Sequence, residues 1–288
     1  MSDSTADGTA AMGPGTIGAW RELADRVWVA VAEPEAVNLG LIAGDDGCLL
    51  IDCGSNREHG DLIRRSIGTV TAAPLIGVVV THAHYDHANG LGAFADITTI
   101  GHESVRGELP ADVPAPTREL AVAGGLDLGG RRVEIAHLGR GHTEGDLLIV
   151  VPDAQVVFAG DLIESAMPDG AEPTDSTRAA PWWGSDSVPH EWPATLDGLV
   201  GLMTDTSQAV PGHGEPVGRE FVFDQRGRVA AVAGELQRLA LDGVPQAEAL
   251  ERGEWPYPKE HIAGGIAPGY AQLAAERPEV GRRQLPLA

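Results

Sequence analysis

The sequence predicts a layered α/β protein, and three observations carry that reading. Short apolar runs of strand character crowd the early part of the chain. Strand and helix patterns then alternate, and amphipathic helical sequence fills the last part. Neither an all-β sandwich nor a helix bundle accounts for all three. With 43% hydrophobic and 22% charged residues over 288 positions, the chain can bury one large domain or a domain with an appendage, and wholesale disorder is excluded.

Taken in order, residues 1–18 are polar, acidic and rich in Gly, Ala and Thr, and read as a flexible leader. They have neither the positive n-region nor the apolar core of a signal peptide. Residues 27–32, 37–43 and 48–52 read as strands, with Asp46-Gly47 as the hairpin turn between the last two. Residues 57–67 carry helical spacing. Residues 74–81 end in Val78-Val79-Val80, the signature of a strand buried on both faces. A helix opens over 88–94, where Gly90-Leu-Gly92-Ala-Phe-Ala95 loosely matches a dinucleotide fingerprint. It follows no clean strand and reads as helix packing. Residues 131–138, 147–151 and 155–159 are three further strands, 189–204 a helix with Pro193 near its start, and 208–210 a last short strand. Residues 219–241 are amphipathic, with Val229, Val232, Leu236 and Leu239 on one face. The Pro- and Gly-rich tail from 243 holds one or two short helices. The irregular stretch 164–189 is long enough to serve as a lid.

The formal net charge of −22 disfavours phosphate backbones and anionic membranes, since Lys259 is the single lysine and the arginines are scattered. No apolar run is long enough to span a bilayer. Cys48 and Cys53 stand five apart on one strand-like run, an odd spacing that sends their side chains to opposite faces and excludes a disulfide between them. Nothing demands an oxidising compartment, and a cytoplasmic protein is expected.

The chemistry concentrates in Val80-Thr81-His82-Ala83-His84-Tyr85-Asp86-His87. On an extended strand end His82 and His84 share a face and can bind one ion, while a turn displaces Asp86 and His87 toward a second. Tyr85 alternates away from both histidines and is expected to pack. Imidazole and carboxylate suit zinc, and also manganese or iron. His142 lies in Gly139-Arg-Gly-His142-Thr-Glu-Gly145, Asp161 follows the run Val156-Val-Phe-Ala-Gly, and His213 sits in Pro211-Gly-His213-Gly214. Each lies near a strand end, where open α/β sheets place their sites. His59, His102, His137 and His261 lack ligand-like surroundings.

This order of motifs resembles the metallo-β-lactamase-fold superfamily over residues 19–223. The resemblance implies a four-layer αββα sandwich over 19–225, with 226–288 as a helical C-terminal extension packed on the same domain. It implies that His82, His84 and His142 bind a first metal, that Asp86, His87 and His213 bind a second, and that Asp161 bridges the two. It also implies that Asp52 supports the ligands from behind, the alternative being a turn cap.

Two divalent ions lower the pKa of a bridging water and supply hydroxide near neutral pH, with Asp86 orienting it or shuttling a proton. The expected activity is hydrolysis of a small ester, lactone, thioester or amide. A serine nucleophile elbow is absent. Within the family, His84 in place of Glu separates the chain from the diiron flavoproteins. Asp161 in place of Cys, and His87 in place of Arg, separate it from the common zinc β-lactamases. A lysine that binds the drug's carboxylate in those enzymes is Glu164 here, which would repel it. The ligand set is closer to hydroxyacylglutathione hydrolases and lactonases, although Arg226, Arg228, Arg238 and Lys259 make a sparse basic patch for glutathione. Trp182, Trp183 and His190 either wall a substrate pocket or pin a loop on the core, and Trp192 reads as a helix staple. An iron-dependent persulfide dioxygenase and a non-catalytic metal-binding scaffold are the competing readings.

Overall fold

The computed structural model describes residues 15–167 and 179–276. The strands are β1 (Thr16–Ile17), β2 (Arg21–Ala24), β3 (Val27–Glu33), β4 (Val37–Ala43), β5 (Cys48–Ile51), β6 (Leu75–Val79), β7 (Thr98–His102), β8 (Arg118–Leu120), β9 (Ala123–Asp127), β10 (Arg132–Ala136), β11 (Leu148–Val151), β12 (Val156–Gly160), β13 (Gln208–Pro211) and β14 (Val217–Gly218). The helices are α1 (Arg57–Ile67), α2 (Tyr85–Ala88), α3 (Val105–Glu108), α4 (Trp192–Leu202), α5 (Arg219–Leu241), α6 (Gln246–Arg252), α7 (Lys259–Ile262) and α8 (Ile266–Glu276). A 3-10 turn, Asn89–Phe94, continues α2.

Two mixed sheets stack face to face. One has eight strands in the order β1-β3-β4-β5-β6-β7-β8, with β2 also on β3; the other has six in the order β14-β13-β12-β11-β10-β9. Side-chain alternation divides the core into three layers. On β5, Leu49 and Ile51 face the second sheet, while Cys48 and Leu50 face α1 and the 3-10 turn. On β12, Val156 and Phe158 face the first sheet, while Val157 and Ala159 face α4, α5 and α8. Phe158 fits because Gly40 opposite leaves room; a Cβ there would stand 2.4 Å from its ring. The result is the αββα sandwich.

Several expectations are corrected. Pairing starts inside the stretch read as a leader: Thr16 and Ile17 pair with Glu33 and Ala32, and the Thr16 carbonyl meets His59 Nε2 at 3.2 Å. Ile17 packs on the core, which draws this segment in; residues 1–14 lie outside the described residues. The position 225/226, where the extension was read to start, falls within α5, which buries Val222, Val229, Val232 and Leu236 in one continuous layer. The tail carries α6, α7 and α8 rather than one or two helices, and Tyr257, Ile262, Ile266, Tyr270 and Leu273 join that same layer. Cys48 and Cys53 remain free thiols, yet both face the α1 side. Alternation breaks between them at Asp52, whose φ is +58°.

Candidate metal centre

The candidate ligands gather at one rim, where β6, β12 and β13 all end. His82 and His84 follow β6, and His84 caps α2 with an extended backbone. Asp86 and His87 lie in that helix's first turn. His142 hangs from the loop between β10 and β11. Asp161 follows β12, and His213 follows β13, the parallel neighbour of β12. Asn38 on β4 locks the last loop: its amide nitrogen donates to the carbonyls of Pro211 (3.0 Å) and Gly214 (2.6 Å), and its backbone N–H donates to Gly212 (2.7 Å).

Two groups of convergent donors result: His82, His84, His142 and Asp161, and Asp86, His87 and His213. Asp161 Oδ2 lies 3.4 Å from His142 Nε2, 3.6 Å from His213 Nε2 and 3.8 Å from His82 Nε2; its Oδ1 lies 3.3 Å from His87 Nε2. Asp86 Oδ2 is 3.5 Å from His213 Nε2 and 3.6 Å from His87 Nε2. Ligand atoms at about 2.1 Å from a tetrahedral ion stand roughly 3.4 Å apart, so this spacing suits a shared cation.

The other nitrogen of each ring is already committed. Carbonyls only accept, so His142 Nδ1 donates to Trp182 (3.1 Å) and His213 Nδ1 donates to Glu35 (3.0 Å). His87 Nδ1 donates to Asp52 (2.8 Å). The Thr81 hydroxyl donates to Asp52 (2.9 Å) and therefore accepts from His82 Nδ1 (3.0 Å). His84 is turned the other way: its Nε2 meets Asp186 at 2.8 Å, and Nδ1 faces the centre. The remaining nitrogens point inward, with His84 Nδ1 and His142 Nε2 at 2.9 Å from each other. His82 Nε2, His87 Nε2 and Asp161 Oδ1 are buried without a hydrogen-bond partner, which an ion would supply. The donor set fits divalent metal.

Electrostatics divide the set: burial opposes charge on His87 and His84, but Asp161, Asp86 and Asp52 hold the first well above its ordinary value and Asp186 raises the second. Burial holds the His82 imidazole well below its ordinary value and His142 down to about 4, so both are neutral and ready to ligate. Burial also opposes charge on His213, but Asp161 and Asp86 outweigh it and push that ring up to about 10. Burial, with Asp161 next, pushes the Glu164 carboxyl up to about 8.

The centre opens into a cavity of about 580 Å³ lined by His84, Tyr85, Asp86, His142, Asp161, Glu164, Trp182, Gly184, Ser185, Asp186 and His213. Asp52, read as a support or a turn cap, contacts both the Thr81 backbone (2.7 Å) and His87. Glu164 and Trp182 line the cavity. Trp183 does not: it is fully buried between Trp192 and Tyr257, and its own backbone N–H anchors it to α7 by donating to the His261 carbonyl at 3.0 Å. His190 does not either, since its Nε2 is held by the Gly269 carbonyl (3.0 Å) in a separate cleft by α8. Tyr85, expected to pack, is 48% exposed on the cavity wall. Strand alternation stops at His84, and helical geometry turns Tyr85 outward. Asp186 was not anticipated; its signal is the polar end of Pro181-Trp-Trp-Gly-Ser-Asp186. Of the 164–189 stretch read as a lid, residues 168–178 lie outside the described residues.

The family model of the metallo-beta-lactamase superfamily matches residues 32–182, and the chain belongs to that superfamily. It is 27% identical over 141 residues to a metallo-beta-lactamase type 2 of Bacillus sp., covering 48% of this chain and 51% of that protein. It is 38% identical over 89 residues to a hydroxyacylglutathione hydrolase of Ruegeria pomeroyi, covering 29% and 32%. The chain thus spans about half the length of the first relatives it matches, or less. Among solved structures, a metallo-beta-lactamase from Pontibacter korlensis superposes with a TM-score of 0.60 at 18% identity, covering 75% of this chain and 99% of that one, and shows the shared fold. Among the described residues, no helix is long and apolar enough to cross a membrane.

Proposed function

We propose that this protein is a dinuclear metal-dependent hydrolase of a small ester, lactone, thioester or amide. The observation that carries the proposal is the convergence of inward-facing imidazole nitrogens and carboxylate oxygens, each imidazole having its other nitrogen already bonded. His82 through Nε2, His84 through Nδ1 and His142 through Nε2 would hold one ion. Asp86, His87 and His213 would hold the other, with Asp161 between them. Zinc suits this set best, with manganese or iron as alternatives. When bound, the ions acidify water and polarise a carbonyl oxygen.

The chain's own groups do the rest. Asp86 is aimed across the centre and is placed to orient the attacking water and take its proton. Thr81 and Asp52 keep His82 and His87 in one tautomer each, and Asp186 does so for His84. Tyr85 and Trp182 form the apolar walls that position a small-molecule substrate. The two free, buried thiols fit a reducing compartment, and the cytoplasm is the proposed location.

The test is metal content by elemental mass spectrometry together with turnover across an ester, lactone, thioester and lactam panel. About two zinc or manganese ions per chain are expected. His82→Ala and Asp161→Ala each lose metal and turnover while keeping the circular dichroism of the fold. Retained turnover in either variant overturns the reading. About one iron per chain, with oxygen uptake on glutathione persulfide, would replace it with a dioxygenase.

A further inference from the structure

Among the described residues that line the cavity, none is a lysine or arginine. Three of the four carboxylates that line it are engaged. Asp86 and Asp161 face the metal centre, and Asp186 is bonded to His84. Glu164 belongs to neither group.

Glu164 is held still. The buried Gln225 side chain clamps its backbone, accepting from the N–H at 3.0 Å and donating to the carbonyl at 2.7 Å. Its carboxyl accepts the Trp182 backbone N–H. The carboxyl shares the cavity with the side chains of Trp182, 53% exposed, and of Tyr85, 48% exposed. Once ionised, a carboxylate in the same cavity as exposed aromatic side chains attracts a cation twice over, by charge and through the ring quadrupoles. The same wall repels a substrate carboxylate.

We infer that the cavity selects an acyl substrate whose non-reacting end carries a positive charge, such as an ammonium group, with Glu164 and the Trp182 and Tyr85 rings as its recognition groups. The acyl part rests on the hydrolase reading; the charge preference rests on the wall alone. A cation in the cavity itself favours the ionised form of Glu164.

Choline and its neutral isostere 3,3-dimethylbutan-1-ol separate charge from shape. Their binding to the metal-loaded full chain at pH 8.5 is measured by calorimetry. Choline is expected to bind at least roughly fivefold tighter. Glu164→Gln abolishes that preference and leaves the neutral alcohol's affinity unchanged. Trp182→Ala, which keeps the backbone N–H on Glu164, weakens both. Equal affinities in the unaltered protein, or a preference that survives Glu164→Gln, overturns the inference. The acetate esters of the two alcohols then test turnover, the choline ester being favoured through KM. Failure of the metal-loaded protein across the whole ester, lactone, thioester and lactam panel while the binding preference stands removes the hydrolase reading and leaves the cation site in place.

Discussion

Each imidazole at the centre has one nitrogen fixed by the protein and one aimed inward, so the accessory groups deserve the same weight as the ligands. Asp186 is the one whose loss is most informative, because it faces His84 from 102 positions away in sequence. Asp186→Ala is expected to lower metal affinity by roughly 10- to 100-fold without altering the fold, as read by competition with a chelator. Asp146 acts one step further out. Its buried carboxyl accepts the Thr143 N–H (3.0 Å) and hydroxyl (2.8 Å), which sets the turn carrying His142; burial pushes it up to about 7. The buried thiols give a pH prediction. Burial pushes Cys48 up to about 11, and burial followed by the Asp52 charge pushes Cys53 well above its ordinary value. A raised folded-state pKa stabilises below the unfolded value, near 9, and that contribution is lost as pH rises beyond it. Urea midpoints are therefore expected to fall between about pH 8 and 10.5, and Cys48→Ala to flatten the slope. At this scale the residues that converge at the centre were legible because their types and spacing are chemical. Asp186 and Tyr85 were not, because one depends on a long-range contact and the other on where a strand gives way to a helix.

At the scale of elements, legibility followed apolar runs. The segments 37–43 and 57–67 fold over the predicted ranges as β4 and α1. β7, β8 and β9 were hidden, since Thr-Thr-Ile-Gly-His, Arg-Glu-Leu and Ala-Gly-Gly-Leu-Asp have no strand-like alternation of strong apolar residues. They form because a neighbouring strand already offers its edge. The 3-10 turn after α2 shows how tightly elements meet. Gly90 donates to the Gly54 carbonyl at 2.8 Å, and a Cβ on it would stand 1.8 Å from the Cys53 carbonyl oxygen. This is the packing role read from the Gly90-Leu-Gly92 motif. Gly90→Ala is expected to cost about 3 kcal/mol or more in urea unfolding, because the obstacle is backbone. Gly107→Ala, with nothing within 4 Å, is the neutral control.

At the scale of the molecule, the net charge of −22 sets a background of self-repulsion. Raising sodium chloride from about 0.05 to 0.5 M should increase Tm, because the Debye length shrinks well below the spacing of surface carboxylates. The four layers themselves were legible only through the family motif, since composition and periodicity gave no more than a layered α/β protein. The extension was legible as helices, and the resemblance placed it on the same domain; which surface it covers was not legible, because amphipathic sequence alone does not say. The ligand group draws on both sheets, from His82 after β6 to His213 after β13, and the loop bearing His213 is itself clamped by Asn38 of β4. That arrangement orders events on the ribosome: the first sheet's histidines emerge early, but the centre cannot close until the segment after β13 has left the exit tunnel and docked back onto β4. A chain released before that point would expose a cluster of unpaired imidazoles, a state for cellular quality control to recognise.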